Sequence, residues 1–395
     1  MYKFTERVTD LPDAGIKSIM RYASQFKDTV SLGQGMPLFQ TPQFIYEELL
    51  ERSMQDKKIG MYSDGNPEIE KHLKKLIATQ MQDEYGFTPS PEELVLTVGG
   101  IGALFASFLA LVEKNDEIIY FDPSYPLHLS QIHLTQAKPV FVPYREEEGW
   151  AFNADKLASV ITKKTKAILL TNPNNPTGTV LSETDVRKLA NIVVSNDLIL
   201  ILDEAYFSLT YDQPLFSPLL LPELRNRTIL IRSFSKEFAM TGWRIGYAYA
   251  NPELASKILN VHTYLSVCPP TPSMIAATIA LSDPRGKQAT QEMVQKITES
   301  RTAICERLQN LPQLFSFQAP QGAFYTFPKF LGFEMSDTEF AKLLIRETGV
   351  ITVGGSSMGP SGKGHLRMSF AGDASLIHKA FDRIDSFVTR AIGLK

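Results

Sequence analysis

Short apolar runs alternate with amphipathic stretches through the middle of the chain. Five of these runs are almost entirely apolar: residues 94–98, 117–121, 166–171, 198–204 and 228–233. Strands covered on both faces have this composition, and their alternation with helical patterns predicts a mostly parallel sheet. The helix between the third and fourth runs is predicted to begin at Ser182, whose hydroxyl can cap its first turn.

The pattern changes after about residue 285. The predicted elements there are a polar helix, an aromatic strand, a helix, two strands and a terminal helix, at residues 287–309, 322–327, 337–348, 350–355, 365–370 and 373–393. This order is typical of a smaller α+β unit. We therefore expect an α/β protein whose large domain has a mostly parallel sheet covered by helices, with a smaller α+β domain built from both termini.

The first forty or so residues are irregular and do not fit the large sheet. We expect residues 1–40 to form a segment that packs with the small domain. The large, cofactor-binding domain is predicted at residues 41–284, and the small C-terminal domain at residues 285–395.

Composition narrows the classes of function. Of the 395 residues, 44% are hydrophobic and 21% are charged, and the formal net charge is −3. This balance suits a globular protein of two domains and excludes a broad basic face for nucleic acid. No run of about 18 apolar residues could span a membrane. Cys268 and Cys305 have no CxxC spacing, so no zinc site is indicated. The first residues lack the apolar stretch of a signal peptide, so a cytoplasmic location is expected.

Glycines open the helix that follows the first apolar run. Residues 99–102 read GGIG, and backbone N–H groups at a helix start can hold a phosphate. A tight strand–helix turn explains the same glycines equally well. The stretch is not a dinucleotide fingerprint, because Phe105 occupies the position of the third glycine. Residues 349–356 are not a P-loop either, because Gly355 replaces the required lysine.

Polar side chains also follow the last three runs. The loop NPNNPTG at residues 172–178 carries three asparagines, Asp203 and Tyr206 end the next run, and Lys236 lies in SFSKEF after the last. Because ligands of an open α/β sheet bind beyond the carboxyl ends of its strands, we expect these groups to lie together. Taken singly, each is better explained as a turn, a helix cap or a surface group.

The ordered set favours one cofactor. A phosphate cradle, a carboxylate, a phenol, an amide loop and a lysine match a molecule with a phosphate, a ring nitrogen, a phenolic oxygen and an aldehyde. Pyridoxal 5′-phosphate has all four groups. A lysine forms its Schiff base, and a carboxylate beside the ring nitrogen keeps that nitrogen protonated.

The chain resembles the class I/II aminotransferases, which are fold type I pyridoxal-phosphate enzymes. The resemblance extends from LGQGMP at residues 32–37 to HLRMSFA at residues 365–371. Its most specific motifs occur in the family's order: NPNNPTG, DEAY and SFSKEFAMTGWRIGY.

The resemblance implies roles for the residues around the cofactor ring. Lys236 forms the Schiff base and moves the substrate proton. Asp203 pairs with the ring nitrogen, whereas Tyr206 and Asn175 hydrogen-bond the ring oxygen. Tyr125, in FDPSYPLH, stacks on the ring.

The resemblance also implies how the phosphate and the substrate are bound. The implied phosphate ligands are Ser233, Arg244 and the N–H groups of Gly100 and Ile101. Arg367 binds the α-carboxylate of the substrate as a planar fork, which a lysine cannot replace equivalently. Gly35, in LGQG, lines the substrate site.

Two departures from the family pattern concern the entrance and the partner subunit. The family has a tyrosine about five residues before a glycine, and this tyrosine reaches the phosphate of the neighbouring subunit in a homodimer. Here Tyr62 precedes Gly65 by three residues, and Lys71 replaces the arginine that usually follows. Leu38 replaces the usual aspartate after LGQGMP.

The implied activity is ping-pong transfer of an amino group between an amino acid and a 2-keto acid. The LGQGMP segment most resembles relatives that act on neutral and aromatic amino acids, and no motif supplies a second cation for a dicarboxylic substrate. Lys17 is a candidate cation that is better explained as an exposed lysine. The alternatives are a carbon–sulfur lyase of the same fold that acts on cysteine conjugates, a cofactor-sensing regulator and a non-catalytic scaffold. Regulators of this kind carry an additional basic DNA-binding domain.

Overall fold

The structure is a computed structural model that describes residues 2–9, 11, 15–63 and 67–392. Its α-helices are α1 Glu6–Thr9, α2 Gly15–Ala23, α3 Gln43–Gln55, α4 Pro67–Tyr85, α5 Gly99–Leu111, α6 Pro126–Leu134, α7 Ala154–Val160, α8 Glu183–Ser195, α9 Pro222–Arg225, α10 Phe234–Glu237, α11 Pro252–Ser266, α12 Thr271–Ser282, α13 Pro284–Gln309, α14 Asp337–Thr348 and α15 Ala374–Ile392. Its strands are β1 Val30–Ser31, β2 Leu94–Thr97, β3 Glu117–Asp122, β4 Lys138–Pro143, β5 Thr165–Thr171, β6 Ile199–Asp203, β7 Thr228–Ser233, β8 Gly246–Tyr249, β9 Phe315–Ser316, β10 Tyr325–Thr326, β11 Lys329–Phe330, β12 Val350–Ile351, β13 Val353–Gly354 and β14 Leu366–Ser369.

The large sheet has seven strands in the order β2-β8-β7-β6-β5-β3-β4. Neighbouring strands from β7 to β4 pair in parallel, and only β8 runs antiparallel to its two neighbours. The predicted, mostly parallel sheet is therefore confirmed, and its five apolar runs are β2, β3, β5, β6 and β7. The edge strand β4 was not predicted, since it contains two prolines, which sheets tolerate at their edges. The four-residue strand β8 was also missed.

Both faces of the large sheet are buried, as the apolar runs predicted. On β7, Ile229 and Ile231 pack into one core with α5 and α11, whereas Leu230 packs into the other with α4 and α8. Complete burial of such side chains stabilises the fold by about 1.5–3 kcal/mol each. Helix α8 begins at Glu183, one residue after the predicted start, and Ser182 caps it as predicted, because its Oγ accepts a hydrogen bond from the Asp185 N–H at 3.2 Å.

The smaller unit contains strands from both ends of the chain. Strands β10, β14 and β13 form an antiparallel sheet, and β1 pairs in parallel with β12 so that Val30 lies opposite Val350. Arg383 of α15 also donates hydrogen bonds to the Asp28 carboxylate at 2.9 Å. Both termini thus build this unit, as predicted, while the domain limits at residues 40 and 284 stay a prediction. The aromatic strand predicted at residues 322–327 is only the two-residue β10.

Within the described part of the chain, no helix combines the length and apolarity needed to cross a membrane.

Candidate active site

A cavity of about 500 Å³ lies where strands of the large sheet end. Eleven of the twelve residues that the sequence identified line it: Gly35, Gly100, Ile101, Tyr125, Asn175, Asp203, Tyr206, Ser233, Lys236, Arg244 and Arg367. They come from strand ends, from the loop after β5, from the segment before α3 and from β14 of the smaller unit. The cavity therefore lies between the large sheet and the smaller unit.

Lys236 projects into the cavity from α10, the short helix that directly follows β7. Ser233 caps this helix, because its Oγ accepts a hydrogen bond from the Ser235 N–H at 3.2 Å. The Lys236 ammonium donates to the Gly35 carbonyl at 2.5 Å. Burial, reinforced by the positive charges of Arg367 and Arg244, lowers the pKa of Lys236 from 10.5 to about 8. A buried lysine with this pKa is a reactive amine near neutral pH.

Asp203 ends β6 with both carboxylate oxygens hydrogen-bonded. Oδ1 accepts from the Ala205 N–H at 3.1 Å, and Oδ2 lies 3.1 Å from Nε2 of His128. The histidine is almost fully buried, and its ring lies edge-on to Tyr125 with centroids 5.2 Å apart. Sequence reasoning missed His128. Its position three residues after Tyr125, at the start of α6, was the available signal.

Three polar side chains form a hydrogen-bonded row along the cavity. The Asn175 amide donates to the Tyr206 hydroxyl at 3.3 Å, and the hydroxyls of Tyr206 and Tyr325 lie 3.0 Å apart. Burial raises the pKa of Tyr206 well above its usual value and raises the pKa of Tyr325 to about 12. Both phenols therefore keep their protons at neutral pH. Tyr325 was predicted only as part of a strand.

Glycines at the start of α5 leave room for Arg244. Gly99 has a φ of +67°, and a Cβ there would lie 2.5 Å from a guanidinium nitrogen of Arg244. A larger residue would thus be strained in its backbone and would displace the arginine. The Arg244 Nη1 donates to the Thr241 carbonyl at 2.8 Å. Beside them, Gly100 and Ile101 lie at the helix N-terminus, where backbone N–H groups favour an anion.

Arg367, which lines the cavity from β14, is fully buried. Its Nη1 donates to the Asn175 side-chain oxygen at 3.3 Å, and its Nη2 donates to the Gly33 carbonyl at 2.8 Å. Its guanidinium carbon is 4.7 Å from the centroid of the Tyr325 ring. A Cβ on Gly35 would lie 2.9 Å from the Tyr325 hydroxyl, so this position needs a glycine to keep the cavity open.

Other candidates lie away from the cavity. Tyr62 is 65% exposed and does not line it, while Gly65 lies outside the described residues. Lys17 is exposed on α2, whereas Ile16 and Met20 of the same helix do line the cavity. Leu38 is partly exposed, and its N–H donates to the Ala371 carbonyl at 2.8 Å.

Comparisons with known proteins agree on one family. The sequence profile described as "Aminotransferase class I and II" matches residues 27–384. The chain is 32% identical to aromatic-amino-acid aminotransferase 2 of Thermococcus litoralis over 96% of its length and 97% of the relative. It is 33% identical to an aspartate aminotransferase of Pyrococcus abyssi, over 96% and 97% of the two chains.

A solved structure has the same fold. The alanine aminotransferase of Pyrococcus furiosus superposes with a TM-score of 0.90 at 29% identity, covering 98% of this chain and 100% of that one. Profile, relatives and fold therefore agree over nearly the whole length of the chain. The chain belongs to the class I and II aminotransferase family and is a transaminase.

Proposed function

We propose that the cavity binds pyridoxal 5′-phosphate, the cofactor of this family, and that the chain moves an amino group between an amino acid and a 2-keto acid. The observation that carries the proposal is the convergence of the Lys236 amine, the Asp203 carboxylate and the Arg244 guanidinium on one cavity. The aldehyde, the ring nitrogen and the phosphate of the cofactor would bind the amine, the carboxylate and the guanidinium, respectively. When bound, the cofactor supplies an electron sink for the substrate's Cα.

The residues at the start of α5 and after β7 suit the phosphate. Ser233 Oγ, the Arg244 guanidinium and the N–H groups of Gly100 and Ile101 would hold it. Charge-assisted hydrogen bonds and a helix N-terminus both favour an anion at this place. The space that Gly99 leaves for the arginine supports this assignment.

The residues at the end of β6 suit the ring. The Asp203 carboxylate would accept a hydrogen bond from the protonated ring nitrogen. His128 would orient this carboxylate through its contact with Oδ2. Tyr206 and Asn175 would hydrogen-bond the ring oxygen, since both present donors to the cavity, and Tyr125 would stack on the ring face.

Lys236 is the proton carrier of the proposed reaction. Its Nζ would take the proton from the substrate's Cα as a general base and, as a general acid, would deliver it to the carbon that the cofactor's aldehyde group supplies. A pKa of about 8 suits both tasks near neutral pH, because neither protonation state is rare. A second keto acid reverses the sequence, which makes the kinetics ping-pong.

Arg367 would bind the α-carboxylate of either substrate. It is a buried cation, and no carboxylate of the described residues lies within salt-bridge distance of it. A buried charge without a counter-ion is costly, so an incoming carboxylate gains a strong partner. Asn175 and the Gly33 carbonyl hold the fork in one plane for a bidentate contact.

We further propose a preference for neutral or aromatic amino acids over dicarboxylic ones. The part of the cavity wall formed by α2, the segment before α3, α5 and α6 carries apolar side chains: Ile16, Met20, Met36, Leu104 and Leu127. The Lys and Arg side chains among the described lining residues are Lys236, Arg244 and Arg367, and each has another task in the proposed reaction. No lysine or arginine is therefore left for a second carboxylate. The relatives' names include both aromatic and aspartate aminotransferases.

We also propose a symmetric homodimer in which Tyr62 reaches the phosphate site of the partner copy. Exposed apolar side chains support this arrangement, among them Met54 of α3, Met61, Tyr62 and Tyr264, of which Tyr264 is 93% exposed. The Met61 carbonyl accepts a 2.6 Å hydrogen bond from the Thr271 hydroxyl, which fixes this segment beside α12, a helix that packs on α3 and α4. The cytoplasmic location, which was expected because the first residues lack a signal-peptide pattern, stays a prediction.

The relatives found are aminotransferases, so neither the carbon–sulfur lyase nor the regulator is favoured. Borohydride reduction of the protein reconstituted with cofactor, followed by peptide mass mapping, tests the proposed site. We expect a pyridoxyl group on Lys236. A modification at another lysine, or none at all, would contradict the assignment.

A further inference from the structure

Five side chains form a buried polar cluster on the face of the large sheet opposite α5. This Arg232 cluster comprises Glu84, Tyr85, Glu204, Arg232 and Glu237. Arg232 is 2% exposed and Glu204 is fully buried. The Arg232 guanidinium contacts the carboxylates of Glu84 and Glu237, and its carbon also lies 4.2 Å from the centroid of the Phe207 ring.

Each of three cluster residues is the direct neighbour in sequence of a residue that lines the cavity. Glu204 follows Asp203, Arg232 precedes Ser233, and Glu237 follows Lys236. Neighbouring side chains of a strand point to opposite faces, and those of a helix turn by about 100°. The same short backbone segments thus carry cavity residues on one side and cluster residues on the other.

Arg232 links α4 to α10, the helix of Lys236. Its guanidinium donates to both carboxylate oxygens of Glu84, at 2.7 and 3.3 Å, and to Glu237 at 3.4 Å. Gln80 of α4 also donates to Glu237 at 3.0 Å. Glu237 is therefore held from two sides, which fixes the rotation of the one-turn helix and with it the direction of Lys236.

Tyr85, the last residue of α4, links Arg232 to the backbone segment that carries Asp203. Its hydroxyl accepts a 2.7 Å hydrogen bond from Arg232 and donates a 2.7 Å hydrogen bond to Glu204. The two backbone segments that carry Lys236 and Asp203 are thus joined through one guanidinium and one phenol. Stability alone does not explain this arrangement, because well-packed apolar side chains often stabilise a core as well as buried ionic groups do.

We propose that Arg232 is a positioning residue, which fixes Lys236 relative to Asp203 through Glu237 and through the Tyr85–Glu204 link. This inference rests on the proposed cofactor site, since it concerns how accurately the lysine and the carboxylate meet one bound molecule. A displacement of about 1 Å at such groups can cost about a hundredfold in rate.

Arg232→Met tests the proposal against a matched control, Arg225→Met. Arg225 also lies over an aromatic ring, with its guanidinium carbon 4.4 Å from the centroid of Phe87, and it donates to the Tyr85 carbonyl at 3.5 Å. Arg232 donates to Glu237 and to the Tyr85 hydroxyl, whereas the described hydrogen bonds of the Arg225 side chain go to the Leu219 and Tyr85 carbonyls. Both variants lose an arginine that is stacked on an aromatic ring and bonded to the end of α4.

In Arg232→Met we expect kcat to fall by about ten- to a hundredfold, with KM for the amino donor within about twofold of the parent. The visible circular dichroism of the bound cofactor should change, because it reports the cofactor's orientation. Arg225→Met should keep the parent's kcat and spectrum, even if its melting temperature falls. Arg232→Lys should recover part of kcat, because it restores the charge without the fork.

Parental kcat and dichroism in Arg232→Met, or equal losses in Arg225→Met, would overturn the proposal. If Arg232→Met does not fold, Tyr85→Phe decides, because it keeps the buried ring and removes only the hydroxyl that joins Arg232 to Glu204. We expect it to lower kcat several-fold and to change the dichroism, and parental values for both would overturn the proposal. Borohydride labelling of the parent at Lys236 shows separately whether the proposed cofactor site holds.

Discussion

His128 Nε2 lies 3.1 Å from Asp203 Oδ2, although 75 residues separate the two in sequence. Together with the Ala205 N–H on Oδ1, this contact gives the carboxylate a donor on each oxygen. Contacts at both oxygens fix the plane of the carboxylate. The arrangement suits the proposed contact between Asp203 and the ring nitrogen of the cofactor.

Replacing Asp203 with asparagine should lower kcat by at least about a hundredfold, which corresponds to about 3 kcal/mol of lost transition-state stabilisation. The amide has the same shape but lacks the charge that would keep the ring nitrogen of the proposed cofactor protonated. Steady-state kinetics of the reconstituted variant measures the effect. Turnover close to that of the parent would mean that Asp203 has only a structural role at the end of β6.

Lys236 should react as an amine with a low pKa in the protein without cofactor. Competitive labelling with acetic anhydride and peptide mapping should give a midpoint near pH 8 for Lys236, because burial and two arginines disfavour its charged form. The other lysines of the same digest provide the internal reference. A midpoint of Lys236 at the ordinary value for a lysine side chain, about 10.4, would contradict the prediction.

The lowered pKa of Lys236 also determines how its contribution to the free energy of unfolding changes with pH. The unfolded chain keeps the proton of this lysine up to about pH 10.4, whereas the folded chain loses it above about pH 8. The unfolded state therefore binds more protons between these values, and the contribution of Lys236 to the free energy of unfolding rises with pH there.

The residues with a proposed chemical role were easier to predict from the sequence than the residues that contact them. Lys236, Asp203 and Arg367 lie in or directly beside strands that the apolar runs and motifs identify, so their meeting at one edge follows from the fold. His128 and Tyr325 were missed as site residues because only tertiary packing brings them there. Tyr325 comes from the smaller unit and meets Tyr206 across 119 residues of sequence.

Strand β4 and the Arg232 cluster were not predicted from the sequence, for related reasons. Strand β4 carries Pro139 and Pro143, which weaken a strand pattern in sequence but are tolerated at the edge that β4 forms. Arg232 interrupts an apolar run, and nothing in the sequence identifies Glu84 as its partner 148 residues away. Long-range pairs of this kind leave no periodic signal.

Arg367→Lys should lower kcat/KM for the amino donor by about a hundredfold, or about 2.7 kcal/mol. Lysine keeps the charge but cannot form the planar two-point contact with a carboxylate that the fork provides. Arg383→Lys, which alters a guanidinium bonded to Asp28 on the surface, is the control and should keep parental kinetics. A parental kcat/KM in Arg367→Lys would show that the α-carboxylate binds elsewhere.

The active protein should be a homodimer. Light scattering is expected to give twice the chain mass. Tyr264→Glu should weaken the association, because it places a charge on a 93% exposed aromatic position of the proposed interface. Val194→Glu, at an exposed apolar position on α8, is the control. A fully active monomer would contradict both the dimer and the proposed reach of Tyr62 into the partner's site.

Neutral and aromatic amino acids should be better donors than aspartate or glutamate. The α-carboxylate contact of Arg367 is common to all donors, so selection depends on the apolar wall that includes Ile16, Met20 and Leu127. Such a wall discriminates by only about 1–3 kcal/mol per methylene-sized difference, and several neutral donors should therefore be accepted. Among the lining residues that the structure describes, no further lysine or arginine could pair with a buried second carboxylate, which disfavours dicarboxylic donors more strongly. A donor panel with one common keto acid measures this as kcat/KM. If aspartate or glutamate exceeded every neutral donor by about tenfold, or about 1.4 kcal/mol, a cation from outside the described cavity wall would have to reach the substrate.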